Sequence, residues 1–166
     1  LSPAAQTQIL RVTLVWTDPP GNPVASVKLV NDLDLVITDL ADTNLVYYGN
    51  DIGPGSDYTQ PLATNALPII DRVNNVENIF LNPIAGIDSR LSTNYAITIK
   101  GHRVNVNAVS AQTNNVAQDY ALVISTGDGL EVDATITLDT STGVASVTQP
   151  EVTSITNAFG ASPDFY

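Results

Sequence analysis

Hydrophobic and polar residues alternate along most of this chain with a period of two, the repeat of a strand with one buried face. In "ILRVTLVWT", residues 9–17, Leu10, Val12, Leu14 and Trp16 share one side, while Arg11, Thr13 and Val15 share the other. In "VNDLDLVIT", residues 30–38, Leu33, Leu35 and Ile37 lie opposite Asp32, Asp34 and Val36. The segments "NLVYYG", "VENIFLN", "NYAITIKGHRV", "DYALVIS", "DATITLD" and "VASVTQ" extend the pattern, and the last two flank "TSTG" in the manner of a hairpin. No segment carries a convincing helical repeat. Seven or eight short strands between Gly, Pro and Asn turns predict an all-β fold, an antiparallel β-sandwich or jelly roll.

Two loops break the rhythm. Residues 49–75 are too long for a plain connection, which predicts a functional or mobile loop, and residues 104–117 are polar and rich in Asn. Beyond Ser125 the composition shifts to Thr, Ser and Val with no Lys or Arg. A boundary is therefore expected near Gly127 or Gly129. Residues 1–126 form the sandwich domain, and 127–166 are an extension that supplies an edge hairpin and then a linker or tail. Trp16 continues the apolar face of the first strand and is expected in the core. Tyr47 and Tyr48 point to opposite faces, one buried and one exposed.

The charge balance narrows the partners. A net charge of −11 with six Lys and Arg opposes nucleic acid or an anionic membrane surface, both of which need basic patches. No run of about 18 apolar residues is present, so membrane insertion is not expected. There is no cysteine and no methionine, which excludes disulfides and thiolate metal sites and suits an exposed extracellular setting. Without an initiator methionine the chain reads as a processed product or a piece of something longer. The expected state is a monomer.

Asp outnumbers Glu fourteen to three. Asp favours turns, and it also offers oxygen to hard cations. Asp32 and Asp34 are conspicuous because strand interiors prefer Val, Ile and Thr. On one face of a strand they stand about 7 Å apart. Their repulsion is roughly half a kcal/mol in water and grows as the local dielectric falls. A cation beside them reverses the sign. Calcium takes six to eight oxygens from carboxylates, amides, carbonyls and water.

The candidate ligands all sit at strand ends: Asp18 after the first strand, Asp32 and Asp34, Asn50 and Asp51 after "YYG", and Asn75 and Glu77 before "IFL". For Asp32, accepting backbone N–H groups at a tight turn weighs equally with ligation. Asp34, Asp51 and Glu77 favour ligation. Asp18, before two prolines, suits turn chemistry as well, and Asn74 and Asn75 suit left-handed turn conformations.

Taken in order, "LVWTDPPG", "LVNDLDLVIT", "YYGND", "NNVENIFL" and "YALVIS" resemble the C-terminal β-jelly-roll domain of secreted subtilisin-like serine proteases, a relative of the proprotein-convertase P domain. That resemblance spans about residues 8–126. It implies calcium binding (Ca2+) at the positions above and an upstream subtilisin-like catalytic domain in the parent chain as partner. It also implies a secreted, extracellular or cell-surface location.

Catalysis within this chain is not expected. One histidine, His102, stands in "IKGHRV" without the nucleophile context of a subtilisin triad, and it reads as a surface or loop imidazole. Paired-carboxylate glycosidase chemistry would need an aromatic-lined cleft that the sequence does not show. The expected function is a non-catalytic, calcium-binding accessory domain that stabilises or assists a protease. The alternative is a carbohydrate- or protein-binding β-sandwich module of a cell-surface protein, and a structural spacer is a third reading.

Overall fold

The computed structural model describes residues 1–83, 89–109 and 116–126. After a 3-10 turn at Ala5–Thr7, six strands follow among the described residues: β1 (Leu10–Val15), β2 (Asp32–Asp39), β3 (Val46–Tyr48), β4 (Val76–Leu81), β5 (Tyr95–Arg103) and β6 (Ala121–Thr126). They form two three-stranded antiparallel sheets ordered β4-β1-β6 and β3-β2-β5. The all-β sandwich expected from the alternation is the fold observed. The two strands expected within residues 133–149, and the extension 127–166 as a whole, lie outside the described residues.

The core lies between the sheets. Leu10, Val12, Leu14 and Trp16 meet Leu33, Leu35 and Ile37, with Ile79, Leu81, Leu29 and Leu91 completing the cluster. Trp16 is buried as expected, and its indole N–H donates to the Asn31 carbonyl at 3.0 Å, joining the two sheets. The strand registers put Val15 opposite both Val76 and Ala121, and Asp32 opposite Arg103. One end of the sandwich therefore gathers the end of β1, the start of β2, the start of β4, the end of β5 and the start of β6.

Two expectations are corrected. β2 itself is shielded on both faces along Asp32–Ile37. In keeping with that, Tyr47 and Tyr48 are both half-buried instead of one being exposed. Left-handed backbone falls on Asn50 (φ 58°), not on Asn74 or Asn75. There the chain must turn sharply out of β3, which Asn tolerates better than most residues.

The long loop after β3 has a structural task. β4 is an edge strand whose outward groups would be unpaired. The Asn50 N–H donates to the Asn78 carbonyl at 2.9 Å, and the Asn50 side chain accepts from the Asn78 N–H at 2.9 Å. Thr59 repeats the arrangement at Phe80, donating at 2.9 Å to its carbonyl and accepting its N–H at 3.1 Å. The loop thus closes the β4 edge with two polar residues.

Candidate metal centre

Asp32 and Asp34 sit at the head of β2, facing away from the apolar core. Asp32 is fully buried and Asp34 is 7% exposed. Neither oxygen of Asp32 has a hydrogen-bond partner among the described residues, and Asp34 Oδ1 has none either. Asp34 Oδ2 lies 3.5 Å from His102 Nδ1. A buried carboxylate without partners is costly as an anion. Burial accordingly pushes the Asp32 carboxyl above its ordinary range, and the charge of Asp34 adds to the effect. His102, Arg103 and Arg72 oppose it. Asp34 is also raised by burial, against the pull of His102, Lys100 and Arg72.

A register shift delivers the imidazole. Asp32 pairs with Arg103 but Leu33 pairs with Gly101, so His102 is the extra residue of a bulge. Bulges re-aim side chains in this way. His102 is an exposed imidazole, as expected, and it also faces the acidic pair. Its side chain is 36% exposed and stands against Asp34.

Glu77 approaches from the other sheet. It lies on the inward face of β4, 1% exposed, and its Oε2 accepts the Leu35 N–H at 2.5 Å. Burial pushes its carboxyl up to about 8; the Leu35 N–H opposes this, while the charges of Asp34, Asp71 and Asp32 reinforce it. A neutral, protonated Glu77 is thus the prevalent form near pH 7.

Of the other expected ligands, Asp18, Asn75 and Asn50 have side chains hydrogen-bonded within the fold. Asp18 accepts the Asn31 N–H at 2.7 Å and the Val30 N–H at 2.9 Å, fixing the entry to β2. Asn75 donates to the Trp16 carbonyl at 2.8 Å. Asn50 donates to Asp71 Oδ2 at 2.6 Å and to the Val76 carbonyl at 2.8 Å. Asp51 sits at the exit of β3, its N–H donating to the Tyr48 carbonyl at 3.3 Å. For Asp32, no backbone N–H among the described residues plays the turn-capping role; that part belongs to Asp18.

Asp71 went unnoticed in the sequence. Its carboxylate accepts from Val73 N–H (2.8 Å), Asn74 N–H (3.1 Å), Asn74 Nδ2 (2.7 Å) and Asn50 Nδ2. Burial works against these bonds, but the net effect holds its carboxyl below the usual range. The signal was present as "DRVNN", an Asx-type turn. Asn31 was also missed. It is fully buried and ties β2 to the segment after β5, accepting from Asn105 and Val106 N–H groups and donating to the Val106 carbonyl and Gln118.

Among the described residues, no three Asp, Glu, His or Cys side chains form a ready set around one ion. Among the described residues, the buried side-chain oxygens without a hydrogen-bond partner are both of Asp32 and Oδ1 of Asp34, and carboxylate oxygen is donor chemistry that fits a hard cation. No helix among the described residues is long and apolar enough to cross a membrane.

Fold and site together describe an all-β sandwich with a buried acidic pair at one end. No protein-family profile matches the chain. Three curated proteins of Dictyostelium discoideum are similar to parts of it, each named a serine protease/ABC transporter B family protein. The tagD protein is 44% identical over 72 residues, 43% of this chain and 4% of its own length. The tagB protein is 39% identical over 94 residues, 57% of this chain and 4% of its own. The tagA protein is 34% identical over 107 residues, 61% of this chain and 6% of its own. The chain thus corresponds to a small fraction of the length of the relatives it matches, all of them protease-related by name.

Proposed function

We propose that this chain is a non-catalytic, calcium-binding accessory domain of a secreted subtilisin-like serine protease, packing on the upstream catalytic domain and stabilising it. The observation that carries the reading is the Asp32 carboxylate, fully buried with neither oxygen hydrogen-bonded among the described residues, together with Asp34 Oδ1, which is likewise without a partner there. Such a pair is tolerable when protonated or when a cation neutralises it. Similarity to proteins named as serine proteases supports the protease context. Absence of cysteine and methionine supports the extracellular setting.

Asp32 and Asp34 would hold the ion, with backbone carbonyls and water completing a shell of six to eight oxygens. The ion supplies positive charge that turns two repelling carboxylates into a cross-link at the head of β2. An ion present a thousandfold above its Kd adds roughly 4 kcal/mol of stability. Calorimetry in millimolar calcium against chelator tests the reading. The expected result is a higher Tm in calcium that the Asp32→Asn, Asp34→Asn double variant no longer shows. Equal Tm values in calcium and chelator for the wild type would overturn it.

A further inference from the structure

Strand β2 loses its β3 neighbour just where the acidic pair begins. β3 ends at Tyr48, opposite Val36, so Leu35 lies one residue beyond the paired stretch. Its two backbone groups are satisfied by other means. Gly49 N–H donates to the Leu35 carbonyl at 2.9 Å, and Glu77 Oε2 accepts the Leu35 N–H. Glu77 belongs to β4 in the opposite sheet, where it pairs with Leu14. Gly49 lies flush against it, for a Cβ added there would stand 2.8 Å from the Glu77 Cβ and closer still to the carboxyl. The Glu77 side chain is therefore wedged between the sheets with one acceptor oxygen spent on the residue next to Asp34.

We infer that Glu77 is a positioning residue of the acidic pair and not a ligand of its cation: it holds the unpaired edge of β2 at Leu35 so that Asp32 and Asp34 present their oxygens together. This rests on the cation reading above and departs from the role expected of Glu77 in the sequence. A backbone N–H needs an acceptor, not a charge, and a glutamine carbonyl supplies one. A calcium ligand, in contrast, loses much of its worth when a carboxylate becomes an amide.

The test compares calcium affinity by titration calorimetry in wild type, Glu77→Gln and Glu77→Ala, together with exchange protection of the Leu35 amide. Positioning predicts that Glu77→Gln keeps Leu35 protected and binds calcium within about twofold of wild type. It also predicts that Glu77→Ala loses protection and weakens binding by about 10- to 100-fold, the usual cost of removing a group that orients a ligand. Gly49→Ala, which displaces an intact Glu77, should resemble Glu77→Ala and serves if that variant folds poorly. A Glu77→Gln protein as weak as Glu77→Ala while Leu35 stays protected would make Glu77 a ligand and overturn the inference alone. Wild-type affinity in Glu77→Ala and Gly49→Ala would overturn it too. A wild type with no calcium response at all would remove the cation reading, and the inference with it.

Discussion

Raising the pH in the presence of chelator should destabilise this domain through Glu77. Its carboxyl rises from the ordinary 4.5 to about 8 in the folded protein. Between those values the folded state keeps a proton that the unfolded chain has released, so stability falls as pH increases. Each pH unit is worth about 1.4 kcal/mol. The whole window amounts to something of the order of 5 kcal/mol, against about 5–15 kcal/mol for a typical domain. Asp32 and Asp34, also raised, act in the same direction. Asp71, lowered, exerts its influence only in more acidic solution. Urea midpoints in EDTA from pH 5 to pH 8.5 measure the slope. Wild type should lose stability steadily across that range, while Glu77→Gln, which keeps the acceptor for Leu35 but cannot ionise, should show a distinctly shallower decline. Parallel curves for the two proteins would refute the argument, because the buried carboxyl would then not be what releases the proton.

Other substitutions follow from the same contacts. Gly49→Ala drives a methyl group into the Glu77 side chain, and such overpacking should lower the unfolding free energy by about 1–3 kcal/mol, seen as a lower urea midpoint with little change in m-value. Asp18→Ala leaves the Val30 and Asn31 N–H groups without their acceptor; a loss of about 1–3 kcal/mol is expected in a melting experiment. The calcium increment in Tm should survive that change, because the Asp18 oxygens are committed to backbone. Trp16→Phe removes the indole bond to the Asn31 carbonyl and should cost about 1–3 kcal/mol in urea denaturation. Trp16 is the single tryptophan and is buried, so wild-type emission should be blue-shifted when folded and move red on unfolding.

Much of the fold was legible because alternation is a local property. Leu10, Val12, Leu14 and Trp16 declare a buried face whatever the strand pairs with, and the same holds for Leu33, Leu35 and Ile37. The gathering of acidic residues at strand ends could be read too, since "TDPPG" and "VENIFL" mark where strands stop and start. Which of those residues face each other could not. Asp18 and Asp32 look alike as aspartates near the same strand, yet Asp18 accepts two backbone N–H groups while the Asp32 carboxylate has no hydrogen-bond partner among the described residues. Nor does the alternation of β2 reveal that its second face is shielded. That depends on segments distant in sequence.

By itself, then, the sequence determined an antiparallel β-sandwich, its inward-facing residues, and an acidic character concentrated in Asp. Tertiary structure decided the rest: the bulge that brings His102 to Asp34, the closure of the β4 edge by Asn50 and Thr59, and the reach of Glu77 across the sheets to Leu35. The physical reason is one of range. A period of two is set by the geometry of a single strand, whereas the partner of a side chain is set by register. A one-residue shift between two strands, far apart in sequence, changes which groups meet.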